Sequence, residues 1–298
     1  MGKLILVVDE SGAKGYADQK ENYSGETGVI AGFVFPESEY EQHKTELDNI
    51  RNSYSSDGKL HITDLDSDAQ KSLRDNIIHY LEANEVVCVF EAMYVEGLHH
   101  ISEESRSRHQ AIRQQLKSNI KRSTNEKYEL LHEKLFVGVF GKALAFSQDC
   151  LENCTHISVI TDNIDDPVIK KISKGIDELL GYKEPKVTKS TGFDPVKKEV
   201  VTGTITSTIH DPSGILGDYS SIGYDIEKED SAFTLVADVL ANSIYRHLAN
   251  REGDLTHALN TEASLPEFMH ELFFYGLSSE GDKPYIMDLL YQHPDKKI

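Results

Sequence analysis

Apolar residues fall in blocks along this chain, and their spacing changes from block to block. Residues 4–8 form a β-branched apolar run, the pattern of a strand that is buried on both faces. Similar runs at 28–35, 85–95, 156–163 and 200–209 predict four further strands. Apolar residues spaced three and four apart predict amphipathic helices at 37–54, after an N-cap at Ser67, and at 103–122, 126–152, 167–180 and 231–249.

The remaining segments have the composition of loops. Residues 183–198 contain many Lys residues with Pro and Gly, and residues 211–223 are rich in Gly and Tyr. Residues 253–298 show no clear periodicity apart from a short predicted helix near 266–274. No internal repeat or low-complexity linker divides the chain.

The order of the predicted elements specifies the fold class. Three early strands with intervening helices are followed by more helices and then by strand–helix–strand–helix, which predicts an α/β fold with a mixed five-stranded sheet flanked by helices. We predict a single domain over residues 1–298, with a helical insertion around 103–152 and a less regular C-terminal extension at 253–298. In this arrangement the first and fourth strands can end side by side, and the last long helix can cross them.

Three of these elements carry an isolated acid in apolar surroundings. Asp9 ends the first apolar run just before the turn at Ser11–Gly12, and Asp162 ends the fourth predicted strand. Asp238 lies on the apolar face of the last long helix. An unpaired carboxylate in such a place costs several kcal/mol unless a cation compensates it. The three aspartates therefore predict one metal-binding cluster at the edge of the sheet, where ligands usually bind.

This cluster has the chemistry of a Mg²⁺ or Mn²⁺ site. Hard divalent ions take oxygen ligands, and catalytic sites hold them with a few carboxylates plus substrate phosphate. Paired ions about 4 Å apart can activate a water and stabilise the leaving oxygen of a phosphodiester. Glu10 follows Asp9 but points to the opposite strand face, so it is either a secondary ligand or a turn acid. His61, with Asp64, is a candidate proton shuttle or extra ligand.

Each candidate also has a purely structural interpretation. Asp9 can begin a turn. Asp162 can cap the following helix, although two later acids lie closer to the helix start. His61 can be a hydrogen-bonded loop histidine. Asp238 is the hardest to explain in structural terms, because apolar residues surround it on its helix.

The composition restricts which partners the protein can bind and in which cellular compartment we expect it. The formal net charge of −19 opposes nucleic-acid binding through a broad positive surface, but it permits a nuclease with a narrow basic path. No apolar run reaches the roughly 18 residues of a membrane helix, and no signal peptide is visible. Three cysteines without a paired motif predict buried free thiols in a reducing compartment. We therefore expect a cytoplasmic protein with no membrane partner.

Four short motifs carry a resemblance to a known family. They are Val-Asp-Glu-Ser-Gly at 8–12, Leu-His at 60–61, Ile-Thr-Asp-Asn at 160–163 and Leu-Val-Ala-Asp-Val-Leu-Ala-Asn at 235–242. Over roughly residues 3–250 the chain resembles the bacterial family called domain of unknown function 3800. The resemblance implies a ribonuclease-H-like fold.

The resemblance also implies a metal-dependent nuclease-type site. The three aspartates would occupy the positions of the fold's acidic cluster, with Glu10 and His61 as auxiliary residues. Many ribonuclease-H-like enzymes carry a fourth acid, for which this chain has no unambiguous candidate; Glu91 in the third strand is one possibility. Members of the family often lie near mobile elements and defence genes, which implies a role against foreign nucleic acid.

Three functions remain open at this point. The leading hypothesis is a Mg²⁺- or Mn²⁺-dependent nuclease that hydrolyses the phosphodiester bonds of DNA or RNA. The second is a catalytically silent ribonuclease-H-like binding or scaffold subunit of a larger complex, such as a defence complex. The third is a small-nucleotide phosphohydrolase, which the negative charge tolerates better than it tolerates a long polymer. The aromatic residues of the C-terminal segment also allow a protein partner or a homo-oligomer.

Overall fold

The computed structural model of the protein describes residues 2–55, 59–115, 121–122, 129–151, 154–209, 217–251, 255, 258–277 and 285–296. Its strands are β1 (Gly2–Gly12), β2 (Thr27–Pro36), β3 (Val87–Tyr94), β4 (Lys121–Arg122), β5 (Cys154–Thr161), β6 (Lys186–Asp194), β7 (Glu199–Ser207) and β8 (Gly223–Lys228). Its α-helices are α1 (Tyr40–Asn52), α2 (Ser67–Ala83), α3 (Val95–Gln115), α4 (Leu131–Cys150), α5 (Asp166–Leu180), α6 (Ala232–Ala249) and α7 (Ile286–Leu290). Short 3₁₀ turns cover Glu37–Glu39, Ile62–Asp64, Glu262–Ser264 and Glu267–Met269.

Five of the strands form one mixed sheet in the order β3-β2-β1-β5-β8. β1 pairs with β2, and β2 with β3, in antiparallel fashion, whereas β5 and β8 run parallel to β1. Helices cover both faces of this sheet. The predicted α/β class, with a mixed five-stranded sheet flanked by helices, is therefore confirmed. The three parallel strands end at the same edge of the sheet.

Alternation along β1 divides the core between the two faces of the sheet. Ile5 and Val7 face α6, which packs on β1 and β2. Leu4, Leu6 and Val8 face α4, which packs on β2 and β3 and also contacts α5. All five side chains are at most 5% exposed, so β1 is buried on both faces, as its apolar run predicts.

The fifth strand of the sheet is not the predicted one. The strand predicted at 200–209 corresponds to β7, which belongs to a separate three-stranded sheet of order β4-β6-β7. β6 lies within residues 183–198, which the composition assigned to a loop. The fifth strand of the main sheet is β8, which pairs with β5. Its short, half-exposed sequence contains no apolar run that would mark it as a strand.

Two helical predictions also need correction. The helix predicted at 103–122 begins earlier, at Val95, directly after β3, and residues 116–120 lie outside the described part of the chain. Near 266–274 the structure has the 3₁₀ turn Glu267–Met269 in place of an α-helix.

The N-terminus of α2 is capped by Asp66 and not by the predicted Ser67. The side chain of Asp66 accepts a hydrogen bond from the backbone N–H of Ala69 at 2.9 Å, while its own backbone stays extended. This bond satisfies one of the free N–H groups of the first turn.

The C-terminal extension covers one edge of the main sheet. The backbone N–H of Cys88 in β3 donates to the carbonyl of Phe273, and the N–H of Tyr275 donates to the carbonyl of Cys88, both at 2.9 Å. The segment therefore continues the hydrogen bonding beside β3 and protects a strand edge that would otherwise be open.

Two expectations from composition can be compared with the fold. All three cysteines are free thiols, and Cys88 and Cys154 are buried. Cys150, at the end of α4, is exposed, so the expectation of a buried thiol is wrong for this residue. Within the described ranges, no helix combines the length and the apolar character needed to cross a lipid bilayer.

Candidate functional site

Asp9 and Asp162 stand next to each other where the parallel pairing between β1 and β5 ends. Val8 and Thr161 are the last paired residues of β1 and β5, and the two aspartates follow them directly. Adjacent strands are about 4.8 Å apart, so both acids lie at one edge of the sheet. Asp9 shares the strand face of Val7, which is the face that α6 covers.

Asp238 approaches the same edge from α6. Its Oδ2 accepts a hydrogen bond from the backbone N–H of Ile62 at 2.8 Å. The ring Nδ1 of His61 is 3.6 Å from that oxygen, and the ring Nε2 is 3.9 Å from Oδ2 of Asp162. Burial raises the pKa of Asp238, although the contacts with Ile62 and His61 oppose the increase. His61 therefore lies between two of the predicted site acids.

The 3₁₀ turn after His61 holds this residue in place. The backbone N–H of His61 donates to Oδ2 of Asp64 at 3.0 Å. Asp64 thus fixes the backbone of His61, while Asp162 and Asp238 face its ring. These contacts do not fit a proton shuttle in which Asp64 contacts the His61 ring.

Lys59 also lies at this cluster, although no sequence motif marked it. Its Nζ lies 2.7 Å from Oδ1 and 2.6 Å from Oδ2 of Asp162. The hydrogen bond with Asp162 raises the pKa of Lys59, and the charge of Asp9 also acts on this lysine. The one feature of the sequence that could have indicated Lys59 is its position two residues before His61.

Burial raises the pKa of Asp9 to about 8. The residue is only 9% exposed, and the negative charges of Asp238, Glu10 and Asp162 add to the increase. The hydrogen bond from the N–H of Glu10 to Oδ1 of Asp9, at 2.8 Å, opposes it. The three aspartates are therefore close enough to interact, and without a bound cation Asp9 is mostly protonated at neutral pH.

Glu10 points to the opposite face of β1, as strand alternation predicts. Its Oε2 lies 2.9 Å from Nε2 of His132 on α4, and its Oε1 contacts the ammonium group of Lys14. Burial alone would raise the pKa of Glu10, but His132 and Lys14 outweigh it and lower the pKa to about 2. The structure does not bring this carboxylate together with the three aspartates; it remains ionised behind them.

Glu91, the third-strand candidate for a fourth acid, does not join the cluster either. It is paired across the sheet with Ile30, which in turn is paired with Glu10, so it shares the α4 face. The side chain is fully buried, with its Oε2 3.0 Å from Nζ of Lys142. The hydroxyl of Tyr285 donates to the same oxygen at 2.9 Å. Glu91 therefore forms a buried ion pair away from the site.

Asp9 is not the first residue of a turn, and Asp162 is not a helix cap, so the purely structural interpretations of these two aspartates are wrong. β1 continues past Asp9 to Gly12, so Asp9 does not begin the turn. Asp165, and not Asp162, occupies the N-cap of α5. The carboxylate of Asp162 accepts a hydrogen bond from the N–H of Asn163 at 2.6 Å and pairs with Lys59.

The donor chemistry of the cluster fits a hard divalent cation, since its three acids offer only oxygen ligands. In the part of the chain that the structure describes, no three His, Cys, Asp or Glu side chains are arranged to hold a metal ion as they stand. At Asp162 the compensating charge is the ammonium group of Lys59. Asp9 has no cationic side chain within ion-pair distance among the described residues, so no ion pair compensates its charge.

The family resemblance of this chain rests on its four short motifs. No protein-family model matches the chain, and neither a curated protein nor a solved structure matches it.

Proposed function

We propose that this protein is a Mg²⁺- or Mn²⁺-dependent nuclease of ribonuclease-H-like fold that hydrolyses phosphodiester bonds in DNA or RNA. The observation that carries the proposal is the convergence of Asp9, Asp162 and Asp238 where the pairing between β1 and β5 ends. The mixed five-stranded sheet is compatible with the fold that the family resemblance implies. The same resemblance makes foreign nucleic acid the expected target.

The three aspartates would hold the metal, and the neighbouring side chains would assist them. A bound Mg²⁺ or Mn²⁺ supplies an activated water and stabilises the charge of the leaving oxygen. The His61 side chain is 37% exposed, so it can pass a proton between the site and solvent. Lys59 can hold a phosphate oxygen once another cation compensates Asp162.

Replacement of Asp238 tests the catalytic proposal. Asp238→Asn keeps the side-chain volume and an oxygen for the N–H of Ile62, but it removes one charged metal ligand. We expect cleavage of labelled single-stranded DNA or RNA to be abolished, with the thermal unfolding curve retained. Asp18→Asn, which neutralises an exposed acid, is the matched control. Wild-type cleavage by Asp238→Asn would count decisively against the proposed role.

Calorimetric titration with Mn²⁺ tests the metal site directly. Because a ligand carboxylate must lose its proton and the pKa of Asp9 is about 8, binding should release a proton and should tighten as the pH rises toward 8. Asp9→Asn should abolish the heat of binding. A titration that is the same for Asp9→Asn and the wild-type protein would remove Asp9 from the metal site.

A catalytically silent binding or scaffold subunit is the second candidate function. The pair between Lys59 and Asp162 favours it, because an internal ammonium group already compensates one of the three acids. A silent subunit would bind a protein partner, a second copy or nucleic acid without cleaving it. It should show no Mn²⁺ binding that depends on Asp9.

A further inference from the structure

Two arginines form a cluster that the proposed metal site does not use, and we call them the arginine pair. Arg74 of α2 and Arg246 of α6 both donate to Oε1 of Gln70, at 3.4 and 3.1 Å. Arg74 also donates to Oδ1 of Asn242 at 3.2 Å and to Oγ of Ser243 at 3.1 Å. All of these acceptors belong to neutral side chains, so they orient the guanidinium groups without compensating their charge.

The arginine pair has no acid at ion-pair distance among the residues that the structure describes. Burial and the charge of Arg246 lower the pKa of Arg74, and the charges of Asp238 and Asp75 oppose this only from farther away. The chain contains 50 Asp and Glu against 31 Lys and Arg, so a shortage of acids does not explain the pair. Guanidinium groups held close together by neutral acceptors are suited to binding a phosphate.

The arginine pair lies on the same helix face as the metal-site acid of α6. Asp238, Asn242 and Arg246 are four residues apart, so their side chains follow one stripe of the helix. A rise of 1.5 Å per residue separates Asp238 from Arg246 by about 12 Å along the axis. Phosphates of one DNA strand are about 3.4 Å apart along the duplex axis. The distance is longer than one phosphate step, so a single phosphodiester cannot occupy both places.

We infer that the arginine pair binds a backbone phosphate of a polynucleotide, at least one nucleotide away from the bond positioned at the acidic cluster. The inference rests on the proposed function for the nature of the ligand, and it makes the substrate a polymer and not a small nucleotide. Arg246 is exposed and can meet an incoming strand, while Arg74 is half-buried and held by α6. A short cationic strip of this kind is compatible with the net charge of −19, because it needs no broad positive surface.

Oligonucleotide binding without metal tests the inference independently of catalysis. The probes are fluorescent single-stranded DNA and RNA oligonucleotides in EDTA, followed by anisotropy over a range of salt concentrations. We expect the double variant Arg74→Gln/Arg246→Gln to bind about tenfold more weakly and to lose a salt-dependence slope of about 0.7 for each phosphate contact removed. Lys174→Gln removes a 75% exposed lysine on α5 and is the matched control. It should keep both the wild-type affinity and the wild-type salt-dependence slope.

Two further measurements separate binding from folding and from chemistry. Arg246→Gln alone changes an exposed side chain, so it tests the phosphate contact if the double variant unfolds. Hydrolysis of the small diester bis(4-nitrophenyl) phosphate with Mn²⁺ needs only the acidic cluster. For this substrate Lys174→Gln should keep the wild-type kcat, whereas Arg246→Gln should increase the KM for an oligonucleotide more than it changes hydrolysis of the small diester.

The possible outcomes distinguish the inference from the nuclease proposal. Unchanged affinity and salt slope in the arginine variants, or no oligonucleotide binding by the wild-type protein, would overturn the inference. Binding that depends on the arginine pair, but without cleavage under Mg²⁺ or Mn²⁺, would support the inference and favour the silent binding subunit. Cleavage and binding that do not depend on the arginine pair would support the nuclease proposal but overturn the inference about the pair.

Discussion

At the scale of single residues, two neighbouring acids of β1 differ because they face opposite sides of the sheet. Burial and nearby carboxylates raise the pKa of Asp9 to about 8. Burial acts in the same direction on Glu10, yet His132 and Lys14 bring its pKa down to about 2. The direction of each side chain from the pleated strand therefore determines which acid holds a proton at neutral pH.

Asp9→Asn is expected to stabilise the metal-free protein, and increasingly so as the pH rises. The unfolded chain releases the Asp9 proton near the ordinary pKa of 3.8, whereas the folded protein keeps it up to about 8. Between these values the folded state binds more protons, so the wild-type protein loses up to about 1.4 kcal/mol of stability per pH unit. The asparagine variant avoids this loss. Urea unfolding in EDTA at pH values across this window measures the difference.

The exposed Asp18 provides the reference for this prediction. Asp18→Asn makes the same chemical change at an exposed position, so it is the control for the substitution itself. If the advantage of Asp9→Asn stayed constant or decreased with rising pH, the Asp9 carboxyl group would not be the protonated acid that its burial indicates.

At the scale of elements, α6 positions one of the three site acids by packing across β1 and β2. The ring of Phe233, in its first turn, has its centroid 5.5 Å from that of Phe35 and 6.4 Å from that of Phe33. The ring of Tyr40 packs on it at 5.0 Å. This aromatic cluster anchors the helix five residues before Asp238, so it fixes how the helix presents that acid.

Phe233→Ala is expected to lower the free energy of unfolding by about 3–5 kcal/mol, because it leaves a cavity in a close-packed aromatic cluster. Mn²⁺ binding should weaken as well, since α6 loses its anchor. Phe233→Leu retains most of the apolar volume and should cost clearly less. Urea denaturation of the two variants measures the contrast, and equal losses would indicate that the aromatic cluster does not hold the helix.

Strands without a buried face were the elements that sequence patterns identified least well. β8 has one neighbour in the sheet, and its side chains are exposed or half-buried. β7 is β-rich in sequence, but nearly all of its side chains are exposed. Without a buried face, alternation of apolar and polar residues does not indicate which sheet a strand joins.

At the scale of the whole molecule, the C-terminal extension closes the α4 face and the β3 edge of the sheet. Asn260 pairs with both backbone groups of Ala92, at 2.9 and 3.0 Å. Tyr285 donates to the buried Glu91, and the ammonium group of Lys142 lies 4.7 Å from the Tyr285 ring centroid. Residues far along the chain thereby compensate polar groups of β3, an edge strand of the main sheet.

Tyr285→Phe is expected to lower the free energy of unfolding by about 2 kcal/mol, because it removes a hydrogen bond to a buried charged group. Burial already raises the pKa of Glu91, so loss of this donor leaves its carboxylate poorly compensated. Tyr16→Phe, at a residue that is 50% exposed, should change stability little. Equal unfolding midpoints for the two variants would show that the C-terminal contact does not contribute to stability.

The sequence by itself determined the α/β class, the buried central strand and the three aspartates, because apolar periodicity and isolated charges are local features. Only the tertiary structure decided which segment supplies the fifth strand and which groups compensate each acid. Lys59 and Asp162 are 103 residues apart, and Arg74 and Asn242 are 168 apart. Such pairs depend on the path of the whole chain, and local patterns of burial carry no information about that path.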